Sequence, residues 1–161
     1  LFVGLTKQSV EATKATAEAL NMPYVVNRWL GGTLTNFKTI TGRVKYLENL
    51  EKKQAEAGFE GFTKKEKILK EREIMAMEYK FDGIRKLTRV PDIIFITSLK
   101  ESQLPVHEAK RSGVKVVGIV NTDSDPKQID YPIAANDNSK KSVELILEAI
   151  KRGVAVTSQP I

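Results

Sequence analysis

Residues 27–40 read Asn-Arg-Trp-Leu-Gly-Gly-Thr-Leu-Thr-Asn-Phe-Lys-Thr-Ile and stand between a strand-like stretch and a long helical pattern. They contain the only tryptophan of the 161-residue chain and a pair of adjacent glycines. The Gly31-Gly32 pair lacks the third glycine and the strand–helix–strand context of a dinucleotide-binding loop. We expect a turn here, at which the chain leaves a sheet and enters a pair of helices.

On both sides of this pair of helices, apolar strand patterns alternate with amphipathic helical patterns. Strands are predicted at residues 1–5, 24–26, 92–97, 115–120 and 130–133, and helices at 7–20, 105–111 and 139–152. The strands at 92–97 and 115–120 are apolar and rich in β-branched residues, which indicates that both faces of the sheet are covered. This alternation predicts an α/β fold with a parallel sheet and right-handed crossovers.

The middle segment, residues 36–88, breaks the alternation. Apolar residues recur at intervals of three and four in two runs, the first of which begins just before this segment: Leu34, Phe37, Ile40, Val44, Leu47 and Leu50, then Ile74, Met77, Phe81, Ile84 and Leu87. Gly58 and Gly61 interrupt the pattern, and Thr63 and Glu66 have the spacing of a capping box. We predict an inserted antiparallel coiled-coil helical hairpin. Residues 1–35 and 89–161 would form a discontinuous α/β domain, and we expect that domain to lack its N-terminal segment because the chain opens on a strand.

The positive charge of the chain is concentrated in the predicted hairpin. The net charge is +6, and between residues 36 and 90 fourteen lysines and arginines face only nine acidic residues. A local basic excess attracts polyanions, although a solvated charged helix pair has the same composition. The chain has no cysteine, which excludes disulfides and thiolate metal sites. No apolar run is long enough to cross a bilayer.

Thirteen residues around the turn and on the hairpin are candidate contacts to RNA. Arginine and lysine would bind phosphates, glycine would allow close backbone approach, and hydroxyl and amide groups would bind sugar and phosphate oxygens. Lysines in the first turn of a helix oppose its macrodipole, so folding alone does not favour them there. Trp29 has an alternative role as a wedge between the hairpin and the sheet. The candidates are Arg28, Trp29, Gly31, Gly32, Thr33, Thr35, Asn36, Lys38, Arg43, Lys45, Lys64, Lys65 and Lys67.

The segment 27–40 resembles the signature of the ribosomal protein S2 family, bacterial type. Further similar segments follow in order: Thr63-Lys64-Lys65-Glu66, Val90-Pro91-Asp92, Glu108-Ala109 and Ile129-Asp130-Tyr131-Pro132-Ile133. The resemblance implies a flavodoxin-like parallel sheet with an inserted coiled-coil hairpin. It also implies a structural constituent of the small ribosomal subunit that binds small-subunit ribosomal RNA, without catalysis, cofactor, metal or membrane. The implied partners include neighbouring subunit proteins such as the OB-fold protein S1, on a cytoplasmic or organellar ribosome.

Two other function classes remain open from the residues alone. Asp123 and Asp125 follow an apolar strand and are similar in spacing to the aspartate pair of haloacid-dehalogenase-like phosphatases, or could hold a weakly bound cation. With Pro126 after them, they are also typical turn-forming residues. Alternatively, the helical hairpin could bind a helix of another protein.

Overall fold

The computed structural model describes residues 1–57, 59 and 61–157. Its strands are β1 (Phe2–Val3), β2 (Tyr24–Val25), β3 (Ile93–Ile96), β4 (Lys115–Val120) and β5 (Tyr131–Ala134). Its α-helices are α1 (Val10–Ala19), α2 (Phe37–Ala57), α3 (Lys64–Phe81), α4 (Gln103–Ser112) and α5 (Lys140–Thr157), with short 3₁₀ helices at Asp82–Ile84 and Pro126–Gln128.

All five strands are parallel and lie in the order β2-β1-β3-β4-β5. This is the doubly wound, flavodoxin-like order, in which the direction of strand addition reverses beside β1. The predicted fold class is therefore confirmed. The predicted strand at residues 1–5 is shorter than expected, since its pairing with β2 ends where the Gly4 N–H donates to the Val25 carbonyl at 2.9 Å.

The two faces of the sheet carry two separate apolar cores. Side chains alternate along each strand, so Val3, Ile94 and Ile96 pack on one face with Trp29, α2 and α4. Phe2, Phe95 and Ile119 pack on the other face, against α1 and α5. Coverage on both faces explains why the strand sequences are continuously apolar.

The helix pair α2 and α3 is inserted between β2 and β3, and the two helices are in contact. Their apolar side chains, including the fully buried Leu47, belong to the same cluster as the first face of the sheet. The predicted capping box is confirmed at the start of α3, where the Thr63 N–H donates to Glu66 at 2.8 Å and the Glu66 N–H donates to the Thr63 hydroxyl. Gly58 and Glu60 of the connecting turn lie outside the described residues. Within the described chain, no helix is both long and apolar enough to span a membrane.

The end of the helix pair meets the edge of the sheet at Gly83. A Cβ atom at this position would lie 2.1 Å from the Tyr24 carbonyl oxygen, and it would also overlap the Tyr24 ring. Only glycine allows the 3₁₀ helix to approach β2 this closely. Gly83 therefore sets the distance between the inserted helices and the sheet.

We expect Gly83→Ala to lower the free energy of unfolding by about 1–3 kcal/mol, because the new methyl group overlaps backbone that cannot move aside. Gly42→Ala is the matched control. A Cβ at Gly42 meets no atom within 4 Å, so an alanine inside α2 should raise the free energy of unfolding by about 0.5–1 kcal/mol. Urea unfolding followed by circular dichroism measures both. Unchanged stability in the Gly83 variant would contradict the close approach.

Candidate nucleic-acid interface

The turn between β2 and α2 is a compact coil rather than an open loop. The Thr33 N–H donates to the Leu30 carbonyl at 3.1 Å, and the Asn36 N–H donates to the Gly32 carbonyl at 2.8 Å. Gly32 has a φ of +91°, a left-handed conformation that favours glycine. These local bonds turn the chain from the strand directly into α2.

The Glu108 carboxylate from α4 lies at the centre of this turn. Its Oε1 accepts hydrogen bonds from Trp29 Nε1 at 3.1 Å and from the Gly32 N–H at 2.8 Å. Its Oε2 accepts from the Leu34 N–H at 3.0 Å and, at longer range, from the N–H and hydroxyl of Thr35. The Glu108 side chain thus connects α4 to Trp29, to Gly32 and to residues 34–35 of the turn.

Glu108 is a buried anion that is stabilised by donors instead of by a counter-ion. Only 4% of the residue is exposed. Burial by itself raises the pKa of the carboxyl group, but the N–H donors of Leu34, Gly32 and Trp29 outweigh it and hold the pKa below its ordinary value. Glu108 therefore remains ionised at neutral pH, and the amides of the turn stay bonded to it.

This arrangement changes the interpretation of the glycine-containing turn. Gly32 was expected to bring free amides close to a phosphate, but its N–H is already bonded to an internal carboxylate. Trp29 is 6% exposed and Thr33 is buried with its hydroxyl bonded to the Leu30 carbonyl at 2.6 Å. Glu108 is not among the candidate residues predicted from the sequence. The sequence feature that could have indicated a buried carboxylate is the position of this one acidic residue beside Pro105, Val106 and Ala109, on the apolar side of α4.

The remaining candidates face solvent or are half-buried. Gly31, Thr35 and Asn36 are exposed on the turn, and Gly32 is half-buried. The candidate cations are all exposed except Lys67, which is half-buried. They are Arg28 on the turn, Lys38, Arg43 and Lys45 on α2, and Lys64, Lys65 and Lys67 in the first turn of α3. The structure therefore places them in two groups, one near the turn and the base of α2 and the other at the start of α3.

None of these seven cations forms an ion pair with the described residues, whereas some other cations of the inserted segment do. Arg85 donates to both oxygens of Glu51, at 2.6 and 2.7 Å. Lys70 pairs with Glu73 at 2.7 Å. The fold thus uses some of its basic residues internally and leaves the candidate set available to an external anion.

The aspartates considered for phosphatase chemistry take part in local structure. Asp123 pairs with Lys100 at 3.0 Å. Asp125 accepts a hydrogen bond from the Lys127 N–H at 3.0 Å and caps the 3₁₀ helix that begins at Pro126. The interpretation of Asp125 as a turn-forming residue is confirmed. Among the residues that the model describes, no group of three acidic or histidine side chains is arranged to hold a metal ion.

Replacement of Glu108 by glutamine should destabilise the protein by about 1.5–3 kcal/mol, because the amide loses charge-assisted hydrogen bonds and points an NH₂ group at N–H donors. The lowered pKa also predicts that the contribution of Glu108 is complete above pH 4.5 and disappears as the pH falls through the lower folded-state value. Urea unfolding at neutral pH and between pH 6 and 3 tests both statements. Glu144→Gln, an exposed site on α5, is the control and should change stability by less than about 0.5 kcal/mol. Equal effects of the two substitutions would contradict the role of Glu108.

Comparison with known proteins identifies the relatives of this chain. The family model of ribosomal protein S2 matches residues 1–157. The "Small ribosomal subunit protein uS2" of Mycoplasmopsis synoviae is 42% identical over 157 residues, which cover 98% of this chain and 53% of that protein. The protein of the same name from Bifidobacterium adolescentis is 44% identical over 96% of this chain and 57% of its own length. The protein from Mycobacterium leprae is 43% identical over 96% of this chain and 56% of its own length.

The chain spans little more than half the length of these curated relatives. The match nevertheless covers the sheet, the inserted helices and the turn around Glu108, in one continuous alignment with the family. The resemblance inferred from the sequence is confirmed: this chain belongs to the ribosomal protein S2 family.

Proposed function

We propose that the chain is a structural constituent of the small ribosomal subunit that binds small-subunit ribosomal RNA and has no catalysis of its own. The observation that carries the RNA-binding proposal is the set of seven candidate cations without an internal ion pair among the described residues. The names of its relatives support the assignment to the small subunit.

The proposed contacts are made mainly by side chains. Arg28 and the cations of α2 and α3 would bind phosphates, while Thr35 and Asn36 would bind sugar or phosphate oxygens from the exposed side of the turn. Gly31 has no atom within 4 Å of a Cβ position, so RNA could approach its backbone. Trp29, Gly32 and Thr33 would act indirectly, by holding the turn in shape. Such contacts fix the position of RNA without reading its sequence.

Neighbouring small-subunit proteins, including the OB-fold protein S1, are the second class of partner that we propose. Ile68, Met75 and Tyr79 lie at intervals of seven and four on α3, and they are 43%, 64% and 60% exposed. Residues with this spacing share one face of a helix. An exposed apolar face supports a protein contact there, because RNA offers little aliphatic surface to cover it. The ribosome in the cytoplasm is the proposed location, although an organellar ribosome has the same chemistry.

Replacing Lys64, Lys65 and Lys67 by glutamate should weaken RNA binding by about a hundredfold or more at 0.1 M salt, and should reduce the slope of log affinity against log salt by about 2–3. Acidic residues at the start of α3 suit the helix macrodipole, so the variant should fold normally. Fluorescence anisotropy with a labelled small-subunit ribosomal RNA fragment measures both quantities.

The matched control replaces Lys7, in the loop after β1, and Lys141 and Lys151, on α5, by glutamate; none of the three forms an ion pair with the described residues. It changes the net charge equally and should lose much less affinity. A similar loss of RNA affinity in both variants would show that only the net charge matters, and would contradict a specific contact at the start of α3. A flat salt response of the unmodified protein would contradict RNA binding through phosphates. Cosedimentation of the native protein with small subunits tests the assignment to the particle.

A further inference from the structure

A lysine-rich cleft lies at the end of the sheet where the strands begin, apart from the helix pair. It has a volume of about 280 Å³ and lies between the end of α4, the start of β4 and the 3₁₀ helix Pro126–Gln128. Three lysines, Lys110, Lys115 and Lys127, line it together with Asp130. The RNA contacts proposed above use none of these residues.

The single carboxylate of the cleft is already neutralised. Asp130 pairs with Lys115 at 2.7 Å and also accepts a hydrogen bond from the Val116 N–H at 3.0 Å. Lys110 and Lys127 form no ion pair with any described residue. The nearby Asp125 carboxylate does not line the cleft, because it caps the 3₁₀ helix through the Lys127 N–H. The cleft therefore carries an excess of two positive charges.

Folding explains only part of this arrangement. Lys110 lies in the last turn of α4, where a cation is favoured by a few tenths of a kcal/mol through the helix macrodipole. Lys127 lies in a 3₁₀ helix of only three residues, whose dipole is small, and it lines the same cleft as Lys110 and Lys115. Like charges repel when they share a cleft, and an anion held between them removes the repulsion.

We propose that this cleft holds a backbone phosphate of RNA and is a second attachment point, separate from the helix pair. A phosphate offers several acceptor oxygens, which suits three lysines and the half-buried Gln128 on the wall of one cleft. This inference rests on the proposed RNA-binding function and extends it to the α/β part of the chain. RNA would then be held at two places on the protein, which fixes its orientation.

The test replaces Lys110 and Lys127 together by alanine and compares the variant with Lys7→Ala/Lys141→Ala. The control removes two exposed lysines that also lack an ion pair with the described residues. The cleft variant should bind the labelled ribosomal RNA fragment about five- to tenfold more weakly at 0.1 M salt, with a salt slope smaller by about 1. Both losses should exceed those of the control. Equal losses in the two variants would overturn the proposal.

A titration with inorganic phosphate, followed by amide NMR, separates the cleft from the rest of the function. In the unmodified protein, phosphate should shift the Gly113 and Lys127 amides, and the cleft variant should lose these shifts. Phosphate shifts with unchanged RNA binding in the variant would mean a site for free phosphate, and would overturn the RNA assignment. Absence of RNA binding by the unmodified protein would instead refute the proposed function, while the phosphate titration would still decide whether the cleft binds an anion.

Discussion

A buried carboxylate needs hydrogen-bond donors, and the fold supplies them to Glu108 from a segment more than seventy residues earlier in the chain. This requirement ties α4 to Trp29 and to residues 32–35 of the turn that leads into α2. Val106 and Ala109, the neighbours of Glu108 on α4, belong to the apolar cluster on the first face of the sheet. The turn is therefore held to the sheet by the hydrogen bonds of Glu108 and by the apolar packing of α4. The direction in which α2 leaves the sheet therefore depends on this one side chain.

The same interaction determines which groups of the turn are free for the RNA contacts that we propose. Amides that already donate to an internal anion are not available to a phosphate, so the binding that we propose relies on side chains around the turn instead. The helix pair shows a similar division of its charges. Arg85, directly after the 3₁₀ helix Asp82–Ile84, donates two hydrogen bonds to Glu51 on α2. The lysines at the start of α3, in contrast, have no ion pair with the described residues. The charges that hold the structure together and the charges that we propose to bind RNA are thus different residues.

Much of the architecture follows from local sequence patterns. The bounds of β4 and the capping box at Thr63 are set by residues close in the chain, and they could be predicted. The contacts of Glu108 and Gly83 could not, because each joins segments that are distant in sequence and depends on the packed geometry. Gly83 has no unusual φ, and only its 2.1 Å approach to Tyr24 shows why glycine is needed. The burial of Thr33 and Trp29 likewise follows from tertiary packing, not from the composition of the turn.

The central claim is that Glu108 occupies the amide donors of the turn whether or not RNA is bound. Hydrogen exchange of the Gly32 and Leu34 amides, measured by NMR with and without a saturating ribosomal RNA fragment, tests it most directly. The account predicts slow exchange at both amides in the free protein and little change on binding. Fast exchange in the free protein, with protection only when RNA is present, would show that these amides have no internal acceptor and bond to the RNA instead. That result would contradict the role of Glu108.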